Sequence, residues 1–475
     1  MNRKFSIKQQ TTFVFLSKYV SILTNLIINS VLARILTPEE FGVVAIISVF
    51  TAFFNIIADI GIGSAVVQNR ELKSHDINML FTITLYFAIV LTALFAVISF
   101  PIAKFYENRA YITIGAVLSL SLFFNTLNTI PNAVLMREEK FFSIAVRTII
   151  CNLISGVSAV CFALKGAGYY ALVIQSVSNS AMIFGWNYCN SRLKLTRKIE
   201  LSCIKKVKDF SVYWFGFNLL NYFARNLDNL MMGKILGERA LGYYDKAYKL
   251  MLYPVQNLTY ILNSVLHPIL SKYQDNLEEI YLKYVKILKV LSLVGLFISV
   301  FCLFNGREII LVVFGQQWEM AVPAFKILSI SMWFQITNSS SGAIYASINR
   351  TKLLLKSGII YIPIQIILFI IASRKREIEI IAVAASVGLI LKFFIDYIIL
   401  IKKGFGYSAL KFFKIFKFEP LLFVICYISM VFGKIVNIES DIMSLVYNLV
   451  LSGIVYGIGL LLTGEFRYFK DLFWG

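Results

Sequence analysis

The sequence predicts an all-α integral membrane protein with about 14 transmembrane helices, in two parallel six-helix lobes plus a C-terminal helix pair. Three observations predict this class. Of 475 residues, 58% are hydrophobic and only 15% are charged, against about 25% in a typical soluble domain. Apolar runs long enough to cross a bilayer, about 20 residues, recur along the chain. A short motif also returns at an interval of 200 residues.

The composition excludes several classes of protein. A mean hydropathy of +0.75 is incompatible with a soluble enzyme, a nucleic-acid-binding protein or a disordered chain, because too much apolar surface would face water. A transmembrane β-barrel would show alternation over about ten residues per strand instead of long apolar runs. The six cysteines are scattered and there are only two histidines, so no metal site and no cofactor are expected.

Fourteen segments satisfy the length rule for spanning helices. They lie at residues 11–33, 40–66, 78–101, 110–130, 142–164, 168–189, 210–232, 248–270, 285–305, 321–345, 353–373, 378–401, 418–434 and 441–463. If the N-terminus is cytoplasmic, the inside segments hold roughly twice as many basic residues as the outside ones. This bias predicts that both termini are cytoplasmic, and it accounts for much of the net charge of +20.

The spans group into four predicted regions. Residues 1–190 form an N-lobe of six helices, and residues 191–209 form a basic cytoplasmic linker. Residues 210–401 form a C-lobe of six helices, and residues 402–475 carry the last two.

An internal repeat supports the two-lobe organisation. Residues 32–42 (LARILTPEEFG) resemble residues 232–242 (MGKILGERALG), with a cation, Ile-Leu, an acidic group and an apolar-Gly step at matching or adjacent places. Six helices separate the copies, so both run in the same direction, as in parallel repeats related by an axis along the membrane normal. Chance similarity in a biased composition is the alternative. Two parallel bundles are a common transporter plan, in which substrate binds between the lobes.

Polar residues at membrane depth are the candidate functional groups, because charge in hydrocarbon is costly and mostly functional. On helix one, Lys18, Ser21, Asn25 and Asn29 share a face. On helix seven, the polar residues at the matching positions also share one face. Helix two carries Asp59, and the sequence has no cation within one helical turn of it. The candidates are Arg225, Arg34, Lys18 and Arg147 for substrate binding, and Asp59, Asp228, Asn25, Asn218 and Asn221 for gating or coupling.

Structural interpretations of the same residues stay open. Arg225 and Asp228 also fit a local ion pair that only joins helices. Lys18 also fits a side chain that snorkels to the inner surface, and Arg34 an anchor at the membrane interface. Lys392 and Asp396 have the i, i+4 spacing of a structural pair.

A cavity lined by Lys18, Arg147 and Arg225 would be cationic. Arginine binds phosphate with two parallel hydrogen bonds, so the expected substrate is an amphipathic anion with a phosphate or pyrophosphate head. No loop exceeds about 20 residues, which leaves no room for a catalytic domain beyond the spans. No GxxxxGK[ST] phosphate loop occurs in the sequence, which excludes an ATP-driven single-chain flippase.

Two stretches carry a family resemblance. Residues 32–68, with the run LAR-x-L-x-P-E-x-F-G, and residues 225–250, with the run R-x-x-D-x-L-x-x-G-x-x-L-G, resemble Wzx-type polysaccharide and O-antigen flippases. These belong to the multidrug/oligosaccharidyl-lipid/polysaccharide (MOP) exporter superfamily. The resemblance implies that Arg34, Asp59, Arg225 and Asp228 are functional, and it implies two lobes around a central cationic cavity.

The implied activity is alternating-access flipping of an undecaprenyl-diphosphate-linked oligosaccharide across the bacterial inner membrane, not catalysis. Expected partners are this lipid-linked oligosaccharide and membrane lipids, with a polysaccharide polymerase and a chain-length regulator, and no nucleic acid. The rivals are an ion-coupled multidrug exporter of the same fold and, in a different class, a membrane polysaccharide polymerase or ligase. A drug exporter would favour acids for organic cations, and a polymerase or ligase would need catalytic groups on a long outer loop.

Overall fold

The computed structural model describes residues 7–59, 62–69, 71–196, 222, 226, 228–270, 276–436 and 438–473. Within these ranges the chain is helical, with turns and short connections and no strand. The all-α membrane class predicted from composition is confirmed.

The helices are numbered here in chain order. In the first half they are α1 (Ile7–Ile35), α2 (Pro38–Asp59), α3 (Ile62–Gln68), α4 (Ser74–Tyr106), α5 (Ala110–Arg137), α6 (Phe141–Leu164), α7 (Tyr170–Ser191) and α8 (Glu238–Leu270). In the second half they are α9 (Leu277–Phe304), α10 (Gly306–Phe314), α11 (Val322–Asn338), α12 (Ser341–Ser347), α13 (Thr351–Ser373), α14 (Ile378–Ile399), α15 (Ala409–Phe413), α16 (Glu419–Ile435), α17 (Asp441–Leu462) and α18 (Arg467–Phe473).

Eleven helices in the described ranges are long and apolar enough to cross a membrane. Of the other three predicted spans, two correspond to helices α7 and α8, which carry more polar groups. The third, residues 210–232, lies mostly outside the described residues. The fourteen-helix prediction is therefore consistent with the structure, and the protein is a multi-pass membrane protein.

One span predicted as a continuous helix is interrupted within the described residues. The span 40–66 contains α2 and α3, and residues 60 and 61 between them lie outside the described residues. The span 321–345 follows a 3₁₀ turn (Gln316–Ala321) and is divided between α11 and α12 at Ser339 and Ser340. Serine competes for backbone hydrogen bonds there, because the Ser339 Oγ donates to the carbonyl oxygen of Ile336 at 2.6 Å.

The described residues form two compact units, Met1–Gly242 and Tyr243–Gly475. In the first unit, α4 packs on α5, α5 on α7, and α1 on α6. In the second unit, α9 packs on α11, α14 packs on both α11 and α13, and α16 packs on α17 and α9. The predicted linker at 191–209 falls largely outside the described residues, so the predicted domain boundaries stay a prediction.

The two copies of the repeated motif contact each other within the first unit. A Cβ on Gly42 would overlap the carbonyl oxygen of Glu238, and a Cβ on Gly242 would overlap that of Pro38. Under the 200-residue offset, residue 38 matches 238 and residue 42 matches 242. The contact is therefore reciprocal, and glycine is needed on both sides because the two backbones meet where a side chain would stand.

The C-terminal helices are joined to α9 by buried charges. Lys289, in the middle of α9, is fully buried, and its Nζ donates to both carboxylate oxygens of Glu419 at 2.9 and 2.8 Å. The same Nζ lies 3.1 Å from an oxygen of Glu465, just after α17. Ser292 Oγ also donates to Glu419, at 2.8 Å. One lysine thus holds two carboxylates from the segments that begin α16 and follow α17.

The glycine contact predicts a steric cost at one site and none at another. We expect Gly42→Ala to destabilise the protein by about 1–3 kcal/mol, because the added methyl group must displace backbone. The matched control is Gly185→Ala in α7, where a Cβ meets nothing within 4 Å, so that the variant is neutral or gains helix propensity. Thermal unfolding in detergent measures both. Equal melting temperatures for the two variants would contradict the contact.

The buried cluster of Lys289, Glu419 and Glu465 predicts that two lysines of α9 contribute very differently to stability. We expect Lys289→Met to cost about 3–5 kcal/mol, because it leaves two buried carboxylates without a cation. Lys286, half-exposed and 3.6 Å from Asp471, is the control, and Lys286→Met is expected to cost at most about 1 kcal/mol. The triple variant Lys289→Met, Glu419→Gln, Glu465→Gln is expected to recover much of the loss. Thermal unfolding is again the measurement, and no recovery in the triple variant would count against a charge-based account.

Candidate functional site

Arg147 lies at the centre of a buried polar cluster in the first unit. It sits two turns into α6, among small buried neighbours on its face such as Cys151 and Ser155, and is only 7% exposed. Its Nη1 donates to the side-chain oxygens of Asn187 at 2.7 Å and Asn132 at 3.1 Å. Its Nη2 donates to the hydroxyl of Thr148 at 3.3 Å. Arg147 is thus held by neutral groups.

The amides around Arg147 bond to one another across two helices. Asn187 of α7 is completely buried, and its Nδ2 donates to Asn128 Oδ1 at 2.7 Å and to Asn132 Oδ1 at 3.4 Å. Both acceptors are on α5, one turn apart. The side-chain nitrogen of Asn187 donates to these oxygens and that of Asn132 donates to Met136 Sδ at 3.7 Å, so the oxygens of Asn187 and Asn132 are left to accept from the guanidinium.

The charge of Arg147 is not neutralised by this network. In the part of the chain that the structure describes, no carboxylate pairs with the guanidinium, and its Nε is buried without a hydrogen-bond partner. A buried cation without an anion is costly and is mostly functional in membrane proteins. Such a group favours an anionic ligand, because a carboxylate or phosphate would supply both the missing charge and the missing acceptor.

The predicted polar face of helix one reaches the same helix as Arg147. Asn152 of α6 donates from Nδ2 to Ser21 Oγ of α1 at 3.0 Å. Asn25 on that face is half-buried, and its backbone oxygen accepts from Asn29 Nδ2 at 2.9 Å. Lys18 and Arg34 are exposed, Lys18 about three turns into α1 and Arg34 in its last turn. Their exposure fits the interface interpretations as well as a role in binding, so their function stays a prediction.

The two predicted acids differ in environment. Asp59 is half-buried at the end of α2, and its Oδ1 would lie 3.5 Å from a Cβ on Gly63 of α3. Asp228 is 4% exposed, and its Oδ1 accepts from the backbone N–H of Asn229 at 2.8 Å. Arg225, Asn218 and Asn221 lie outside the described residues. The roles proposed for all five remain predictions.

Sequence reasoning singled out Arg147 but missed its amide partners. Asn125, Asn128 and Asn132 are spaced 0, 3 and 7 on α5, which is the one-face spacing that identified the polar faces of helices one and seven. That signal was available in the sequence. No local pattern pairs Asn187 with Arg147, because they are 40 residues apart and meet only when α6 packs on α7.

Comparison with known proteins identifies the family. Residues 31–323 match the model of the family described as "Polysaccharide biosynthesis protein". This chain belongs to that family. Among curated members of this polysaccharide biosynthesis group, lipopolysaccharide biosynthesis protein WzxC of Escherichia coli (strain K12) is 22% identical, over 82% of this chain and 81% of the relative. Teichuronic acid biosynthesis protein TuaB of Bacillus subtilis (strain 168) is 23% identical, over 68% of each chain.

Solved structures of transporters share the fold of this polysaccharide biosynthesis protein. The structure of the lipid II flippase MurJ in an inward closed conformation is similar with a TM-score of 0.74 at 15% identity, over 97% of this chain and 99% of that one. An inward-facing multidrug resistance MATE family transporter of the MOP superfamily gives 0.61 at 15% identity, over 84% and 96%. The resemblance to Wzx-type polysaccharide proteins, predicted from two motifs, is confirmed.

The geometry of Arg147 predicts that a neutral replacement is tolerated by the fold. We expect the free energy of unfolding of Arg147→Met to lie within about 1 kcal/mol of that of the unmodified protein. The lost hydrogen bonds, about 1 kcal/mol each, are offset by removal of a buried charge that has no carboxylate partner among the described residues. Thermal unfolding of the detergent-purified protein measures this. A loss of several kcal/mol would indicate that Arg147 is a structural group.

Proposed function

We propose that this protein is a flippase that moves a lipid-linked oligosaccharide across the bacterial inner membrane for surface or capsular polysaccharide synthesis. The substrate class is an oligosaccharide repeat unit on undecaprenyl diphosphate. Movement proceeds by alternating access, from the cytoplasmic to the outer leaflet. Both termini are on the cytoplasmic side in this proposal, in accordance with the distribution of basic residues.

The observation that carries the proposal is the buried guanidinium of Arg147, which no carboxylate of the described residues compensates. A diphosphate is the anionic part of such a substrate, and the guanidinium fork matches phosphate oxygens in pairs. The surrounding amides of Asn128, Asn132 and Asn187 are neutral groups that hydrogen-bond a polar head without repelling it. An exporter of organic cations would instead need an acid where Arg147 stands, so this observation favours an anionic cargo.

The lipid tail of the substrate need not enter a polar site. The helices of the chain expose broad apolar surfaces, for example at Ile442, Val446 and Leu449 of α17, and hydrocarbon covers such faces in a bilayer. Only the head and sugars then require a protein path, while the tail stays among lipids. A polysaccharide polymerase and a chain-length regulator are the proposed partners that receive the flipped unit.

Deletion of the gene tests the function directly. We expect lipid-linked oligosaccharide to accumulate on the inner leaflet and surface polysaccharide to fall, with both restored by the unmodified gene. Arg147→Met is expected to reduce restoration at least tenfold, because removal of a charged hydrogen-bond partner costs about 1.5–3 kcal/mol. Arg147→Lys keeps the charge but loses the paired hydrogen-bond geometry. It is expected to restore surface polysaccharide to a level between those of Arg147→Met and the unmodified protein.

The matched control is Arg109→Met, which removes an exposed arginine of the same unit and is expected to restore fully. Protein amounts are compared by immunoblot for every variant. Normal display of the lipid-linked oligosaccharide on the outer leaflet of the deletion strain would refute the flippase function. Hypersensitivity of that strain to cationic drugs, with normal display, would indicate a multidrug exporter. Full restoration by Arg147→Met would remove Arg147 from the site.

A further inference from the structure

A strongly basic segment joins two consecutive membrane spans of the second unit. Residues 397–418 contain five lysines and no carboxylate, and the acids on either side of them, Asp396 and Glu419, are buried. The five lysines are all exposed and form the basic surface: Lys402, Lys403, Lys411, Lys414 and Lys417. In the part of the chain that the structure describes, none of them forms an ion pair.

The segment is amphipathic, and aromatic rings hold its apolar side against the helices of the second unit. Helix α15 and the 3₁₀ turn that follows it (Lys414–Phe416) bury Phe412 and Phe416 at 0% and 8% exposure. The ring of Phe412 stacks on that of Tyr397 of α14, with centroids 5.1 Å apart. The ring of Phe416 meets that of Trp333 of α11 edge-on, at 5.7 Å. Lysines recur at every third position of this segment and therefore share the opposite, exposed side.

Hydrogen bonds to the backbone fix the position of the segment on both sides of α15. Lys289 Nζ, which is already bonded to Glu419, also donates to the carbonyl oxygen of Ile415 at 2.7 Å. Arg350 Nη1, from the residue before α13, donates to the carbonyl oxygen of Lys403 at 2.8 Å. The lysines therefore stand on a backbone that is tied to α9 and α13.

The position of the basic surface along the chain places it at the edge of the hydrocarbon. The helical stretches Ile378–Phe405 and Ala409–Ile435 are each long and apolar enough to cross a membrane, so the residues that join them lie where one span ends and the next begins. Leu410, between the lysines, is 81% exposed, and Tyr407 is 37% exposed. Exposed apolar side chains interleaved with lysines are typical of segments that lie among lipid headgroups.

Two acids at the start of α9 lie near the basic surface and do not neutralise it. The rings of Tyr281 of α9 and Tyr407 have centroids 4.6 Å apart, which brings the first turn of α9 to this segment. Glu279 of that turn is paired with Lys283 at 3.1 Å, and Glu278 is exposed. Against five lysines, these two carboxylates leave the surface positive, so it is complementary to an anion.

We propose that the basic surface binds the headgroups of anionic phospholipids. Each lysine ammonium donates up to three hydrogen bonds to phosphate oxygens, and an anionic lipid surface attracts basic residues that lie close to it. The exposed side chain of Leu410 then contacts acyl chains beneath the headgroups. A soluble acidic protein is a poorer occupant, because the same surface presents apolar side chains at the level of the lipid. This binding does not depend on transport, so it can be tested apart from the proposed function.

The contacts of the segment make stability a direct readout of binding. Lys289 holds Ile415 together with Glu419 at the start of α16, so a lipid bound to the basic surface supports the packing of α16 on α9. A ligand that binds the folded state and not the unfolded chain raises the melting temperature in proportion to its occupancy and affinity.

Thermal unfolding of the purified full-length protein in mixed micelles tests the proposal. The probes are phosphatidylglycerol and phosphatidylcholine with identical acyl chains, so that only the headgroup differs. We expect phosphatidylglycerol to raise the melting temperature above its value in phosphatidylcholine. We also expect about 0.5 M sodium chloride to reduce this difference, because salt screens exposed charges. Equal melting temperatures in the two lipids overturn the proposal.

A triple variant assigns the lipid preference to these lysines. The substitutions are Lys411→Gln, Lys414→Gln and Lys417→Gln. We expect the variant to need at least about tenfold more phosphatidylglycerol for half of the stabilisation, because each basic residue near an anionic surface strengthens binding several-fold. It is expected to fold, because the three side chains are exposed.

A matched control removes the same amount of charge from the first unit. Its substitutions are Lys104→Gln, Arg109→Gln and Lys165→Gln, all of exposed side chains. We expect the control to respond to phosphatidylglycerol as the unmodified protein does. Equal loss of response in the two triple variants overturns the site, because net charge alone would then explain the preference.

Two further variants keep the proposal falsifiable if the glutamine triple variant does not fold. The pair Lys402→Gln and Lys403→Gln, on the π-helical turn (Leu400–Phe405), is expected to weaken the response by a smaller factor. Arginine at positions 411, 414 and 417 keeps the charge and is expected to keep the response. An unchanged response in the pair, or a lost response in the arginine variant, overturns a site built on these charges.

Soluble anions distinguish a lipid headgroup from other ligands of the same chemistry. We expect neither inorganic phosphate nor polyglutamate to reproduce the stabilisation by phosphatidylglycerol, because neither one contacts Leu410 as a lipid does. Equal stabilisation by inorganic phosphate overturns the lipid assignment and indicates a site for a free anion. Equal stabilisation by polyglutamate also overturns it and indicates an acidic protein partner.

Discussion

A bilayer offers polar groups no water with which to form hydrogen bonds, and this constraint shapes the whole molecule. Backbone groups are paired within helices, and buried side chains must find partners on other helices. Lys289 does so with Glu419 and Glu465, and Asn187 does so with Asn128 and Asn132. The result is a set of helices whose outward faces are apolar and whose contacts are marked by small, closed polar clusters.

Arg147 and Asp396, two buried groups of opposite charge, have neutral side-chain partners. Within the described residues, Arg147 is surrounded by neutral amides, and Asp396 is bonded only through an amide nitrogen. A cluster that contains both a cation and carboxylates, such as that of Lys289, joins helices, whereas a cation held only by neutral amides can still bind an anion. The same physical criterion distinguishes the groups that hold the fold together from Arg147, for which we propose a role in transport.

The sequence was sufficient for the membrane class, for eleven of the spans and for Arg147 as a charge at membrane depth. Hydropathy and helical spacing are local properties, so the sequence alone is sufficient to recognise them. Pairing is not local. Lys289 lies within a predicted span yet was not singled out, because its partners are 130 and 176 residues away in sequence. Asp396 was assigned to Lys392 by spacing alone, and packing of α14 on α11 gave it Asn338 instead.

The reciprocal glycine contact bears on how such a chain arose. When position 42 of one copy meets position 238 and position 242 meets position 38, each copy presents the same surface to the other, as in an isologous dimer. A half-length ancestor with a single copy would already contain both sides of this contact. Duplication and fusion of its gene would then preserve the interface while freeing each half to diverge.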